Sequence, residues 1–198
     1  KFSGALNSGR SVITCELNPP KGVDLDRLYQ KAELLGGMVD AFNVTDSAGS
    51  NMTMAPVGAA HLLLDKGIEP ILQITGRDRN RIALQAELLA AHALGISNVL
   101  CMSGGPPGAG DHPDAKAVFD LDALGLLRAT NSLRSGTDIS GNELRGAPDF
   151  IAGAVANPGS GDMDKEIQYM EAKIDAGASF FQTQAVFEPA NFEKFMNV

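Results

Sequence analysis

The chain has no Trp and only two Tyr among its 198 residues, so it offers few platforms on which nucleic-acid bases could stack. Positive charge is also short: 16 Lys plus Arg stand against 24 Asp plus Glu, a net −8 that argues against a protein tracking a nucleic-acid backbone. No apolar run approaches the ~20 residues that a bilayer helix needs, and no charged, apolar, small-residue leader opens the sequence. Two cysteines, Cys15 and Cys101, are too few for a zinc site or a disulfide framework. Both sit in apolar runs and read as reduced core thiols of a cytoplasmic protein. No second His or Cys lies at ligand spacing from His112, and His61 and His92 fall on mixed helix faces, so no metal site is expected. The expectation is a soluble protein without a membrane or nucleic-acid partner.

What the chain does have is alternation. Apolar runs rich in β-branched residues recur at 12–17, 39–45, 70–75, 99–102, 150–155 and 178–183, and helical periodicity fills the intervals. Leu25, Leu28, Ala32 and Leu35 form one stripe; Ile82, Ala86, Leu89 and Ala93 form a second; Met163, Ile167, Met170 and Ile174 form a third with a charged back. Gly37, Gly67, Gly95 and Gly177 each close a helical stretch, as a left-handed helix stop would. Two long polar segments, 103–118 and 134–148, interrupt the pattern as insertions at strand or helix ends, where function tends to concentrate.

Continuous apolar strands alternating with helices imply a parallel sheet covered by helices. An open doubly wound sheet and a closed (β/α)8 TIM barrel both satisfy that pattern. The first strand is not followed by GxGxxG, which weakens the dinucleotide-binding sheet. A barrel of eight units takes ~250 residues. The expectation is therefore one β/α barrel domain over 1–198, with about six of its units present and the last two lacking.

The ends of the runs are polar: Glu16; Thr45 with Asp46; Thr75 with Arg77; Ser103, Gly104 and Gly105; Asn157; and Gln184. In parallel sheets ligands bind at the carboxyl ends, and in barrels those ends converge on one rim. Glu16 closes an apolar run, where partial desolvation would suit a carboxyl group to donate a proton near neutral pH. Gln182 and Gln184 are two apart and share a strand face, offering amide donors and acceptors to a heterocycle. The glycine-rich stretch from Gly104 to Gly110 could bring backbone N–H groups close to a planar or phosphate-bearing ligand. Arg77, Arg79 and Arg81 could face a pyrophosphate or be an ordinary surface cluster, and His112 reads as a loop-ordering residue.

In order and spacing, the stretches Cys15-Glu16-Leu17-Asn18-Pro19-Pro20, Asn43-Val44-Thr45-Asp46, Gln73-Ile74-Thr75-Gly76-Arg77-Asp78, Asp111-His112-Pro113, Ala154-Val155-Ala156-Asn157-Pro158 and Phe181-Gln182-Thr183-Gln184 resemble the methylenetetrahydrofolate reductase family. The resemblance implies a β/α barrel that binds FAD at its strand ends and reduces 5,10-methylenetetrahydrofolate to 5-methyltetrahydrofolate. It implies that Glu16 is the catalytic acid and that Gln184, with Gln182 beside it, meets the pterin. It places Thr45, Gln73, Ser103, Gly104, Gly105, Asp120, Ala156, Glu166 and Lys173 at the flavin. Gln73 stands where some members carry His, Ala156 where some carry Tyr, and Gly105 where many carry Asp.

The chemistry suits these residues. Methylenetetrahydrofolate must open its five-membered ring before it accepts hydride, and opening requires a proton on the departing nitrogen, which Glu16 could supply. The electron donor is expected to be NAD(P)H or a partner redox protein, and the protein could be a homo- or hetero-oligomer. Two other readings share the fold: a pterin-binding barrel that passes a methyl group to a corrinoid, and a non-catalytic barrel subunit of a larger assembly.

Overall fold

A computed structural model describes residues 1–197. Six parallel strands form one sheet in the order β1 (Thr14–Leu17), β2 (Ala41–Val44), β3 (Pro70–Thr75), β4 (Asn98–Met102), β5 (Ile151–Ala156) and β6 (Phe180–Thr183). Each strand pairs in parallel with its chain neighbour, so the sheet curls into a half-barrel, a partial TIM barrel whose β1 and β6 are edges. All six predicted runs form strands, with ends displaced by at most two residues. A short helix α1 (Phe2–Leu6) precedes the sheet, and α2 (Asp26–Leu35), α3 (Pro56–Leu64), α4 (Arg81–Ala93), α5 (Ala123–Arg134) and α6 (Met163–Asp175) connect the strands; α7 (Pro189–Met196) follows β6. Among the described residues no helix is long and apolar enough to cross a membrane.

Local chemistry sets the helix ends. The Asn80 side chain accepts from the N–H groups of Ile82 and Ala83 at the start of α4, and Asp122 and Asp162 accept in the same way from Gly125 and Lys165 at α5 and α6. At the far end of α4, Gly95 takes φ +87°, and the following N–H of Ile96 returns to the Ala91 carbonyl. Gly37, Gly67 and Gly177 also lie in the left-handed region, as their spacing led one to expect.

Two layers of apolar side chains hold the sheet. On its convex side Leu17, Val44, Leu72, Ile74, Val99 and Cys101 meet helix residues such as Leu63, Leu84, Leu88, Leu126 and Leu127. Each such fully buried Leu stabilises the fold by about 1.5–3 kcal/mol. On the concave side Ala41, Ile71 and Leu100 pack under Phe2 of α1, which stacks edge-on against Phe180 at 5.1 Å. Gly153 on β5 has no room for a side chain because the Phe180 ring lies where its Cβ would be. α1 thus plugs the amino end of the half-barrel and leaves the carboxyl end open.

Two of the three predicted helix stripes need correction. Leu25, Leu28, Ala32 and Leu35 do face the core. In α4 the buried face is Leu84, Leu88 and Ala91, while Ile82 is 74% exposed. That helix carries two apolar series at helical spacing, and the sheet took the one with two leucines. In α6, Ile174 is 55% exposed and the buried residue of the last turn is Lys173. The face of α6 turned inward serves a cavity rather than a core.

Candidate active site at the carboxyl ends of the strands

Strand alternation sends every second side chain inward. Glu16 and Asn43 are register partners on β1 and β2, Gln73 and Thr75 follow on β3, and Val155 pairs with Gln182 across β5 and β6. Above these residues, at the carboxyl ends of β3, β4 and β5, opens a cavity of about 650 Å³. That volume lies within the range of small-molecule and cofactor sites.

One wall is the loop after β2. Asp46 is buried, and its Oδ2 accepts from the Thr75 N–H at 2.8 Å and the Thr75 hydroxyl at 2.9 Å. Arg79 also pairs with Asp46 and reaches Glu87 at 2.6 Å. Burial pushes the Glu87 carboxyl up from its usual range, against the pull of Arg79. This network locks the ends of β2 and β3 together. Arg77, itself buried, lines the cavity with its Nε on Asp78 at 2.8 Å and its Nη1 on the Ser50 hydroxyl at 3.1 Å.

The adjoining wall is the glycine-rich loop after β4. Gly104 takes φ +86°, and a Cβ there would press on Thr75 and Arg77. Gly110 lies so close to the Ser50 carbonyl that no side chain could be added. The Ser50 hydroxyl donates to the Pro106 carbonyl at 3.0 Å, and Asp111 accepts from the Met52 N–H at 2.9 Å while pairing with Lys21 and His112. Lys21, His112 and Met52 hold the Asp111 carboxyl far below the usual carboxylate range. The His112 ring pairs with its chain neighbour Asp111 at 2.8 Å within this loop. The other polar segment, 134–148, leads into the amino end of β5, donates from the Ile139 N–H to Gln85 at 2.8 Å, and does not line the cavity.

The third wall is α6. Glu166, Tyr169 and Lys173, spaced i, i+3 and i+7, all line the cavity. The Glu166 carboxylate accepts from the Asn157 N–H at 2.9 Å. Lys173 is 4% exposed, donates from Nζ to the Val155 carbonyl at 2.6 Å and sits 3.9 Å from the centre of the Tyr169 ring. Burial pushes its pKa down, opposed by Glu166. Burial, with Asp122 and Glu166 nearby, pushes the Tyr169 phenol up while Ser103 opposes.

Residues 1–198 match the sequence model of methylenetetrahydrofolate reductase across the whole chain. The chain belongs to the methylenetetrahydrofolate reductase family. Similar curated proteins include methylenetetrahydrofolate reductase (NADH) 1 of Arabidopsis thaliana, 25% identical over all of this chain and 34% of its own length. A probable methylenetetrahydrofolate reductase (NADPH) of Caenorhabditis elegans is 27% identical over 96% of this chain and 28% of its own. The chain spans about a third of the length of these reductases. Among solved structures, a Clostridium thermocellum protein that binds two copies of 5-methyl-5,6,7,8-tetrahydrofolic acid aligns with TM-score 0.60 at 16% identity, over 99% of this chain and 62% of that one. A 2,3-dimethylmalate lyase aligns with TM-score 0.66 at 13% identity, over 99% and 65%. These two likenesses concern the fold.

The cavity of this reductase-family chain gathers Gln73, Ser103, Gly104, Gly105, Ala156, Glu166, Lys173 and Gln184 from among the residues singled out by sequence. Four others lie outside its lining. The Thr45 hydroxyl is buried and donates to Asn18 at 2.8 Å. Asp120 is engaged by Arg81 at 2.7 Å, which holds its pKa down at about 2. Gln182 lines a smaller cavity of about 130 Å³ inside the half-barrel, beside Phe2 and Thr14. Glu16 faces inward on the edge strand β1 but is exposed rather than partly desolvated, because no strand flanks β1 on its outer side among the described residues. Tyr169 was not legible as a site residue, although its helical spacing with Glu166 and Lys173 carried the signal.

Proposed function

We propose that the cavity holds FAD and that the intact protein reduces 5,10-methylenetetrahydrofolate to 5-methyltetrahydrofolate. The observation that carries this reading is a pair of groups in the cavity, Gln73 and Lys173, with hydrogen-bonding or charge capacity that the protein leaves unused. Among the described residues the Gln73 amide, 6% exposed, has no protein hydrogen bond, and Lys173, beyond its bond to the Val155 carbonyl, is a buried cation without an ion-pair partner. The missing side chain at Gly104 keeps the loop backbone against Thr75 and Arg77, which leaves that wall thin. A planar, hydrogen-bonding ring system with an anionic tail suits that donor set, so the residues present fit the cofactor.

Gln73, Ser103, Gly104 and Gly105 would border the ring system, Ala156 and Glu166 the middle of the cofactor, and Lys173 its phosphates. When bound, the flavin supplies the hydride. The chain's own residues supply position and a proton. Gln184 borders the cavity and would hold the pterin, with Gln182 below it on the same strand face. Glu16, on the inward face, would deliver a proton to the departing ring nitrogen, which opens the imidazolidine ring to an iminium able to take hydride. Thr45 and Asp120 would act from behind, by fixing Asn18 and the start of α4.

The relatives are named for NADH and for NADPH, and a nicotinamide donor, rather than a redox protein, is the reading those names favour. The barrel would be completed by two further β/α units beside β6 and β1. Denaturing the purified intact protein should release one equivalent of FAD, or the protein should take one up on reconstitution. Failure of both would overturn the flavin reading.

A further inference from the structure

The position of Tyr169 has a chemical meaning that flavin binding in general does not require. Lys173 lies four residues on along α6, so the two side chains stack on one helix face. An ammonium has three donors. Lys173 spends one on the Val155 carbonyl, and no carboxylate among the described residues lies within ion-pair distance of it. Glu166, the acid nearest in sequence on this face, accepts from the Asn157 N–H and acts on Lys173 only from beyond ion-pair distance. A buried cation without compensation is costly, yet a carboxylate beside it would compete with an incoming anion. The face of an aromatic ring resolves this conflict, since its quadrupole attracts the cation without neutralising it or occupying its donors. The Tyr169 ring centre stands 3.9 Å from Nζ, well within that interaction's range.

We propose that Tyr169 is the positioning residue for an anion-binding ammonium: its ring holds Lys173 in the cavity in place of a counter-ion, leaving the charge and two donors for a phosphate group of the ligand. The inference rests on the reading that the cavity takes a phosphate-bearing cofactor, and it goes further in assigning a role to a side chain that need not touch the ligand.

The test is calorimetric binding of ADP, which carries the phosphates, and of riboflavin, which carries none, to the intact protein stripped of nucleotide. Tyr169→Leu should weaken ADP binding about 5- to 30-fold and riboflavin binding far less. Tyr169→Phe, which keeps the ring, should bind ADP like the wild type. In a Lys173→Gln background Tyr169→Leu should have no further effect on ADP. If the Leu variant does not fold, Tyr169→Met takes its place in the same cycle. Loss of ADP affinity that persists without Lys173 would mean that the ring touches the ligand itself. Equal loss of riboflavin affinity would mean a merely structural ring, and a wild type that ignores ADP would remove the anion site; each overturns the proposal. ADP binding with the predicted pattern in a protein that binds neither riboflavin nor FAD would sink the flavin reading and leave this one standing.

Discussion

Adjacent glycines in the loop after β4 should respond unequally to the same substitution. Gly104→Ala places a side chain at φ +86°, where an L-residue costs about 1–2 kcal/mol. Its Cβ would also stand 3.0 Å from the Arg77 Cβ and 3.1 Å from the Thr75 Cβ, close enough that one neighbour must shift. Those neighbours are tied down, Thr75 by Asp46 and Arg77 by Asp78 and Ser50, so the strain is not easily relieved. A total of about 2 kcal/mol corresponds, for a chain of this size, to a fall in melting temperature of about 4–8 °C. Gly105 lies outside the left-handed region, and the nearest atom to its Cβ is the Ser50 hydroxyl at 3.9 Å. Gly105→Ala should therefore stay within about 0.5 kcal/mol of the wild type. Thermal unfolding of both variants by circular dichroism, with FAD titration alongside, measures the contrast. Equal melting temperatures would refute the placement of this loop against β3.

Further expectations address the chemistry and the core. Glu16→Gln keeps shape and hydrogen-bonding reach but loses the acidic proton, so reduction by the electron donor should survive while transfer to the folate falls by about 10²-fold or more; equal loss in both half-reactions would make Glu16 structural. Gln184→Ala should weaken folate binding by about 1–3 kcal/mol through unpaired pterin groups, and unchanged folate kinetics would place it outside the site. Gly105→Asp has room for its side chain, and a carboxylate beside the flavin should lower its midpoint potential by tens of millivolts, at most about 90 mV from two charges ~4 Å apart at an effective dielectric near 20. An unchanged or raised potential would show that position 105 does not face the ring. Burial pushes the Cys101 thiol up to about 12, so a thiol reagent at pH 8 should modify half-buried Cys15 and spare Cys101 until the protein unfolds; mass spectrometry finding both labelled in the native state would contradict that burial.

The sheet was legible because its central strands, β2 to β5, are largely buried, which makes them mainly apolar runs with polar ends. Gly95 and its counterparts were legible because a left-handed helix stop has few substitutes. The stripe of α4 was misread because Ile82 and Leu84 begin competing apolar series in one helix, and only the neighbouring sheet decides between them. The inward face of α6 was hidden for a different reason: Lys173 and Tyr169 are buried by a cavity, and periodicity reads burial from apolar residues alone. Glu16 illustrates a third limit. Its inward direction follows from alternation on β1, but its exposure depends on what flanks that edge strand, which local pattern does not encode. The partnership of Asp120 with Arg81 is likewise a contact between distant segments, brought together by the turn of the chain from β4 into α5.

The most direct test of the account is a single turnover under anaerobic conditions. The intact protein, loaded with FAD and reduced, is mixed with methylenetetrahydrofolate while flavin absorbance and folate products are followed. Recovery of oxidised flavin, matched by one equivalent of 5-methyltetrahydrofolate per flavin, is the predicted result. A reduced flavin that stays reduced in the presence of the folate would contradict the account.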